Sequence, residues 1–201
     1  MKALPKQARA RQKRMALIEA AIQEFSMSGF EVATAKTIAA KAGVATGTFY
    51  QYFENKNDIL RVIAHERYSA LQTHIEWFEV KTADLKTGDE SMILDTVFRR
   101  VLQSIYEFHI SNPQLHQILE HRKTQDQQLA KIMYEGEQVL FAHIFKFVQS
   151  FNVSHADVIA NNLFAMGEGI VHRLVFESDN ADAEKVLDIG AQMLVSYFKS
   201  M

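Results

Sequence analysis

Residues 34–60 read TAKTIAAKAGVATGTFYQYFENKNDIL, two short apolar-periodic segments either side of a glycine. Ile38, Ala39 and Ala42 recur at helical spacing behind Thr34, a good helix-capping residue, so the first segment is expected to be a helix over 34–42. Gly43 supplies a sharp turn, because a residue without Cβ enters the left-handed region at no steric cost. A second helix over 45–53 then turns Val44, Phe49 and Phe53 inward and leaves Thr46, Thr48, Tyr50, Gln51 and Tyr52 nearer solvent. Such a row of hydroxyl, amide and phenol groups suits the major groove of duplex DNA, where these groups read base edges and hold phosphates. The stretch is written as a helix-turn-helix.

Thr34, Ile38, Ala39, Ala42-Gly43-Val44, Gly47-Thr48, Tyr50, Phe53 and Lys56 stand in the order and spacing of one family. With 11–30 as the preceding helix, the first sixty or so residues resemble the TetR (tetracycline-repressor) family of transcriptional regulators. The resemblance implies an all-α chain of about nine helices: a helix-turn-helix DNA-binding domain over 1–55, then a helical ligand-binding and dimerisation domain over 56–201. It implies a homodimer through the last two helices, a double-stranded DNA operator, a small-molecule effector and repression as the default action. Carried over position by position, the DNA-binding residues are Thr46, Thr48, Tyr50, Gln51, Tyr52 and Lys56, with Thr34 and Thr37 secondary. Lys56 and the amides at the start of its helix are expected to converge on one phosphate. One departure is Ala45, where the family usually has a serine cap; its loss costs about 1 kcal/mol unless Thr46 takes over.

Charge is segregated in a way that fits. Residues 1–60 carry nine Lys or Arg against five Asp or Glu, a net of +4, so the overall −2 leaves −6 for the remainder. A basic head on an acidic body is expected of a polyanion-binding module joined to a different function. Six of those bases lie in the first fourteen residues, as an arm able to track phosphates. The chain lacks cysteine, which excludes disulfides, thiolate metal sites and a cysteine nucleophile. With no leader-like apolar run and nothing near the ~20 apolar residues of a membrane helix, a cytoplasmic protein is expected.

Beyond the head, helical spacing predicts a first helix over 11–28 with Leu17, Ile18, Ala21 and Phe25 on its core face and Gly29 as its stop. A fourth helix, capped by Asn55 with Asp58 three residues on, carries a stripe of Ile59, Ile63, Ala70, Leu71, Ile75 and Phe78 toward Val80. Its tilt is expected to move the reading head. A polar loop over 82–90 precedes helices over 91–110, 113–122 and 125–151; Ser154 is expected to cap 156–177 and Asp182 to cap 183–199. Gly167, Gly169 and Gly190 each cost their helix about 1 kcal/mol relative to alanine, a cost that close helix approach offsets, either in a dimer or within the chain.

The body is aromatic, and polar tips are interspersed. A mostly apolar pocket with a few polar groups suits small organic ligands. The candidate wall is Phe98, Leu102, Tyr106 and His109, then Tyr134, Gln138, Phe141 and Phe145, then Phe164, Glu168 and His172. Plain core packing is the competing reading of each. An effector-independent DNA-binding protein whose body docks a protein partner is a second reading of the whole. An enzyme is a third and weaker one: a di-iron bundle needs Glu-x-x-His pairs, which are absent, and His116 and His121 are five apart rather than the four of a zinc pair. Glu168 and His172 form a single pair, and no nucleophile elbow, P-loop or dinucleotide fingerprint occurs. No cofactor, metal or catalytic residue is expected.

Overall fold

The computed structural model describes residues 8–76, 90–178 and 181–201. Among these the chain is all-α, with nine helices: α1 Ala8–Ser28, α2 Ala35–Lys41, α3 Thr46–Tyr52, α4 Lys56–Glu76, α5 Glu90–Ile110, α6 Pro113–Lys123, α7 Gln127–Gln149, α8 Ala156–Phe176 and α9 Ala183–Lys199. The N-terminal end of the basic arm, the α4 stripe beyond Glu76 and the expected loop up to Asp89 lie outside the described residues, as does the side chain of Ile75.

Contacts divide the chain into two compact units, residues 1–68 with 114–135, and residues 69–113 with 136–201. The first unit therefore holds α1–α3, most of α4 and α6, and the start of α7. Leu17, Ile18, Ala21 and Phe25 of α1 are buried as their spacing predicts, with Ile38, Ala39, Phe49, Phe53, Ile59 and Ile63. Ala70, expected on the α4 stripe, is exposed, whereas Leu71 is buried.

The helix ends follow from local chemistry. Thr34 and Thr37 form a reciprocal capping box: Thr34 Oγ1 accepts from Thr37 N–H (3.1 Å) and Thr37 Oγ1 from Thr34 N–H (3.0 Å). After α2, Gly43 has φ +67° and donates to Ala40 O (3.1 Å), while Val44 donates to Ala39 O (3.0 Å). This pair of bonds is a Schellman stop, which requires the left-handed residue glycine supplies. Ala45 holds the N-cap position of α3 without a side-chain bond, and Thr46 begins the helix instead of capping it.

Two expected caps and one helix start are corrected. Asp58 Oδ2 accepts from Glu54 N–H (3.1 Å), one residue before the position a capping box would use, while Asn55 Oδ1 caps α4 through Asn57 N–H (2.9 Å) and Asp58 N–H (3.0 Å). Helix α7 starts at Gln127 rather than 125, because Asp126 Oδ1 takes the amides of Gln128 (3.1 Å) and Leu129 (3.0 Å). Ser154 does not cap α8: the turn uses positive φ at Asn152 and His155, which puts His155 in the N-cap position without a side-chain bond. Asp182 caps α9 as expected, accepting from Lys185 N–H (3.2 Å).

In the second unit α5, α8 and α9 pack on one another around Leu94, Leu102, Leu163, Val171, Leu187 and Leu194. Phe98, Phe147, Phe151 and Phe198 close one part of this core as an aromatic group with centroids 4.9–6.0 Å apart. A Cβ on Gly190 would meet Leu102 Cδ1 at 3.1 Å and two Ile170 carbons at 3.3 Å, so this glycine lets α9 approach α5 and α8 of its own chain. Gly167 faces Leu102 and Ile105 at ordinary distances, and a Cβ on Gly169 would meet nothing within 4 Å. The three glycines thus separate into two that serve the chain's own core and one on an exposed helix face.

Candidate nucleic-acid interface

Helix α3 is only two turns long, so its rotation must be set by what it buries. Phe49, fully buried, is 5.6 Å from Phe53 and 5.4 Å edge-on from Tyr50. With Phe49 fixed, Tyr50 (52% exposed) and Gln51 face outward, and Thr46, Thr48 and Tyr52 are half-buried along the flanks. Arg14 holds the arrangement from behind, its guanidinium 5.6 Å from the Phe53 ring centroid and its Nη1 3.0 Å from Glu66 Oε1. Lys41 Nζ lies 3.0 Å from the Glu24 carboxylate and joins α2 to α1; this hydrogen bond outweighs burial and lowers the Glu24 pKa.

The two secondary candidates and Lys56 are occupied locally. Thr34 and Thr37 spend their hydroxyls on the capping box, where Thr37 Oγ1 also donates to Thr34 O (3.0 Å). Lys56 Nζ donates to Phe30 O (2.8 Å) and Glu31 O (3.0 Å), and lies 4.6 Å from the Phe30 ring centroid. Two of its three N–H groups therefore hold the α1–α2 turn, and two amides of the first α4 turn are taken by Asn55. The convergent phosphate site expected at Lys56 is thus partly filled by the head's own atoms.

The proposed effector residues differ in burial and in their neighbours. Phe98 and Leu102 are core. Tyr134, 61% exposed, falls in the first unit, and Gln138 and His172 are exposed in the second. Phe141 stacks with Phe145 (centroids 6.3 Å apart) and meets Phe164 edge-on (6.4 Å). Buried His109 has Nδ1 2.8 Å from Ile105 O, which makes that nitrogen the donor, and Nε2 3.6 Å from Glu168 Oε2. An open depression of about 400 Å³ lies elsewhere, lined by Ser91, Met92, Asp95, Gln192, Val195 and Ser196, none of them a proposed wall residue.

Residues 17–63 match the sequence model of the bacterial regulatory proteins, tetR family. The fatty acid metabolism regulator protein of Bacillus subtilis (strain 168) is 36% identical over 84 residues, a stretch that spans 42% of this chain and 42% of that relative. A Mesorhizobium loti protein assigned to the TetR-family transcriptional regulators superposes with a TM-score of 0.78 at 21% identity, over 96% of this chain and 98% of that one. Residues 17–63 thus carry the sequence pattern of the TetR family. FadR of Bacillus subtilis in complex with stearoyl-CoA has a TM-score of 0.67 at 21% identity, over 92% of this chain and 98% of that chain. At these identities the two structures establish the TetR fold across the chain, while the sequence likeness covers less than half of the curated relative.

A second set of residues that holds this head escaped the sequence reading. The corner between α6 and α7 meets the head at two points. Arg122 Nη1 donates to Glu31 Oε1 (3.1 Å) and Gln125 Oε1 (2.6 Å), and its guanidinium lies 4.6 Å from the Phe30 centroid. Arg61 Nε donates to both oxygens of Asp126, at 3.1 and 2.9 Å. Burial acts to raise the Asp126 pKa, but the Leu129 amide, the Arg61 guanidinium and the Gln128 amide outweigh it and the net shift is downward. Partners 65 and 91 positions apart leave no periodic trace in sequence. The sole local signal was the spacing of Asp126 to Leu129, that of a helix cap.

Proposed function

We propose that this protein is a dimeric, ligand-responsive DNA-binding regulator of the TetR family, acting in the cytoplasm. It represses by occupying its operator and leaves when an apolar or amphipathic small molecule binds its helical body. The observation that carries the reading is the outward row of α3, held in rotation by buried Phe49. Thr46, Thr48 and Gln51 read base edges or adjacent phosphates, and Tyr50 and Tyr52 donate phenol hydrogens to phosphate. Thr34, Thr37 and Lys56 act in support: two cap α2, and the third holds the turn before it.

In this reading residues 1–55 read DNA and 56–201 hold the effector and the second subunit. Exposed Val158, Ala165 and Gly169 on α8 and Ile189 and Met193 on α9 support a two-fold contact through these helices. Such symmetry fixes the spacing of two operator half-sites. For the effector, a relative named for fatty acid metabolism and a neighbour that binds stearoyl-CoA make acyl thioesters the first class to test. The Phe141, Phe145 and Phe164 rings offer apolar contact for a chain, and His109 with Glu168 a polar end. Release requires the effector to bind the DNA-free conformation more tightly than the DNA-bound one.

The test is fluorescence anisotropy with promoter fragments at low ionic strength, including the fragment upstream of the protein's own coding region, followed by titration with acyl-CoAs of graded length. Binding that weakens with one chain-length class is the expected result. No shift on any fragment would remove the DNA-binding reading, and binding insensitive to acyl-CoAs and to other apolar compounds would remove the effector.

A further inference from the structure

Arg122 sits in the last turn of α6, outside the three helices that read DNA, yet its contacts converge on the turn before α2. Besides Glu31 and Gln125, its Nη2 lies 3.4 Å from Asn57 Oδ1. The guanidinium and the Lys56 ammonium share the Phe30 ring, each 4.6 Å from its centroid. Phe30 is 4% exposed, whereas the Glu31 side chain is 73% exposed. The ion pair with Glu31 therefore contributes little by itself, because exposed pairs are screened. The weight falls on the ring contact and on the fork of N–H groups that joins Glu31, Asn57 and Gln125.

What this assembly holds is the entry to α2. Phe30 and Glu31 lie three to four residues before Thr34, whose backbone and side chain both belong to the α2 cap. Lys56 grips the carbonyls of the same two residues from α4. The turn thus has one tether inside the head and one outside it. We propose that Arg122 is a positioning residue for DNA recognition: from the α6–α7 corner it fixes the α1–α2 turn, and with it the placement of α2 and α3 against the duplex. This rests on the DNA-binding reading above. It also makes operator affinity depend on a residue 69 positions beyond Phe53, the C-cap of the recognition helix.

The full-length chain with Arg122→Ala, Arg122→Lys or Glu31→Gln tests this, with DNA affinity and amide hydrogen exchange as separate readouts. Arg122→Ala is expected to weaken operator binding about tenfold, the scale of a lost cation–π contact with its hydrogen bonds, with an unchanged salt slope. Lysine keeps the charge but not the planar fork, so Arg122→Lys recovers only part of the loss. Exchange at the Ala33 and Thr34 amides should quicken in Arg122→Ala while the amides of the middle of α1 stay protected. Native affinity in the folded variant with unchanged exchange at the turn overturns the proposal. So does a salt slope lower by about one unit, which would make Arg122 itself a phosphate contact. If Arg122→Ala fails to fold, Arg122→Lys and Glu31→Gln carry the same comparison. A wild-type chain that binds no fragment defeats the DNA reading and the positioning role with it, while faster exchange in the variant would still show that Arg122 holds the turn.

Discussion

The Asp126 carboxylate receives the Arg61 guanidinium of α4 on both its oxygens while Oδ1 also accepts the first amides of α7. One side chain therefore caps the start of α7 and ties it to α4, and it is 8% exposed. Asp126→Ala removes a cap and leaves a partly buried guanidinium without its carboxylate. We expect a loss of about 2–4 kcal/mol, read by urea unfolding. A loss within 0.5 kcal/mol, the range of ordinary surface substitutions, would contradict the double role.

The same residue predicts a pH dependence. The pKa values of Asp126 and Glu24 are lowered in the folded chain. The unfolded chain then binds more protons in acid, so the stability contributed by each carboxylate is complete above the ordinary carboxylate range and is lost as pH falls through the folded value. Asp126→Asn should flatten the acid limb of a stability–pH curve while also lowering stability at neutrality. An acid limb identical to wild type would remove Asp126 as a contributor.

Lys56 separates two roles that sequence left merged. Its ammonium already serves Phe30 O and Glu31 O, so Lys56→Ala is expected to cost about 1–2 kcal/mol of head stability and to weaken binding to every sequence alike. The slope of log affinity against log salt should stay near the wild-type value. A slope reduced by about one unit would return the ammonium to the phosphate.

Thr48 should behave differently, because it flanks the exposed row of α3 instead of holding the head together. Thr48→Ala is expected to change preference among operator variants, by about 1–3 kcal/mol at the position it reads, with stability nearly unchanged. Competition among base-substituted operators measures this. Equal losses on all variants would exclude a base-reading role.

The two α8–α9 glycines make a paired test. Gly190→Ala places a Cβ against Leu102 at 3.1 Å and Ile170 at 3.3 Å, both neighbours pressing on one point. The overlap is expected to outweigh the helix-propensity gain of about 1 kcal/mol, giving net destabilisation. Gly169 has no such neighbour within its chain, so Gly169→Ala should stabilise an isolated subunit by up to about 1 kcal/mol, while Gly169→Leu weakens the dimer. Sedimentation of Gly169→Leu as an unchanged dimer would place the interface elsewhere.

Sequence by itself determined the features that depend on neighbours along the chain. Thr34 to Thr37, Gly43 to Val44 and Phe49 to Phe53 are local, so periodicity, a cap and a left-handed turn sufficed to place α2, its stop and α3. The same logic located Asp182 at the start of α9 and missed His155 at the start of α8, where backbone geometry rather than a side chain makes the turn. Only the tertiary structure decided how the head is held. It set Arg122 on Phe30 and Asp126 on Arg61, it occupied Lys56 with carbonyls, and it spread the aromatic residues of the body between core and surface. The reason is physical: helix formation is governed by residues three or four apart, whereas a guanidinium finds a ring or a carboxylate across the fold through packing that no single stretch of chain encodes.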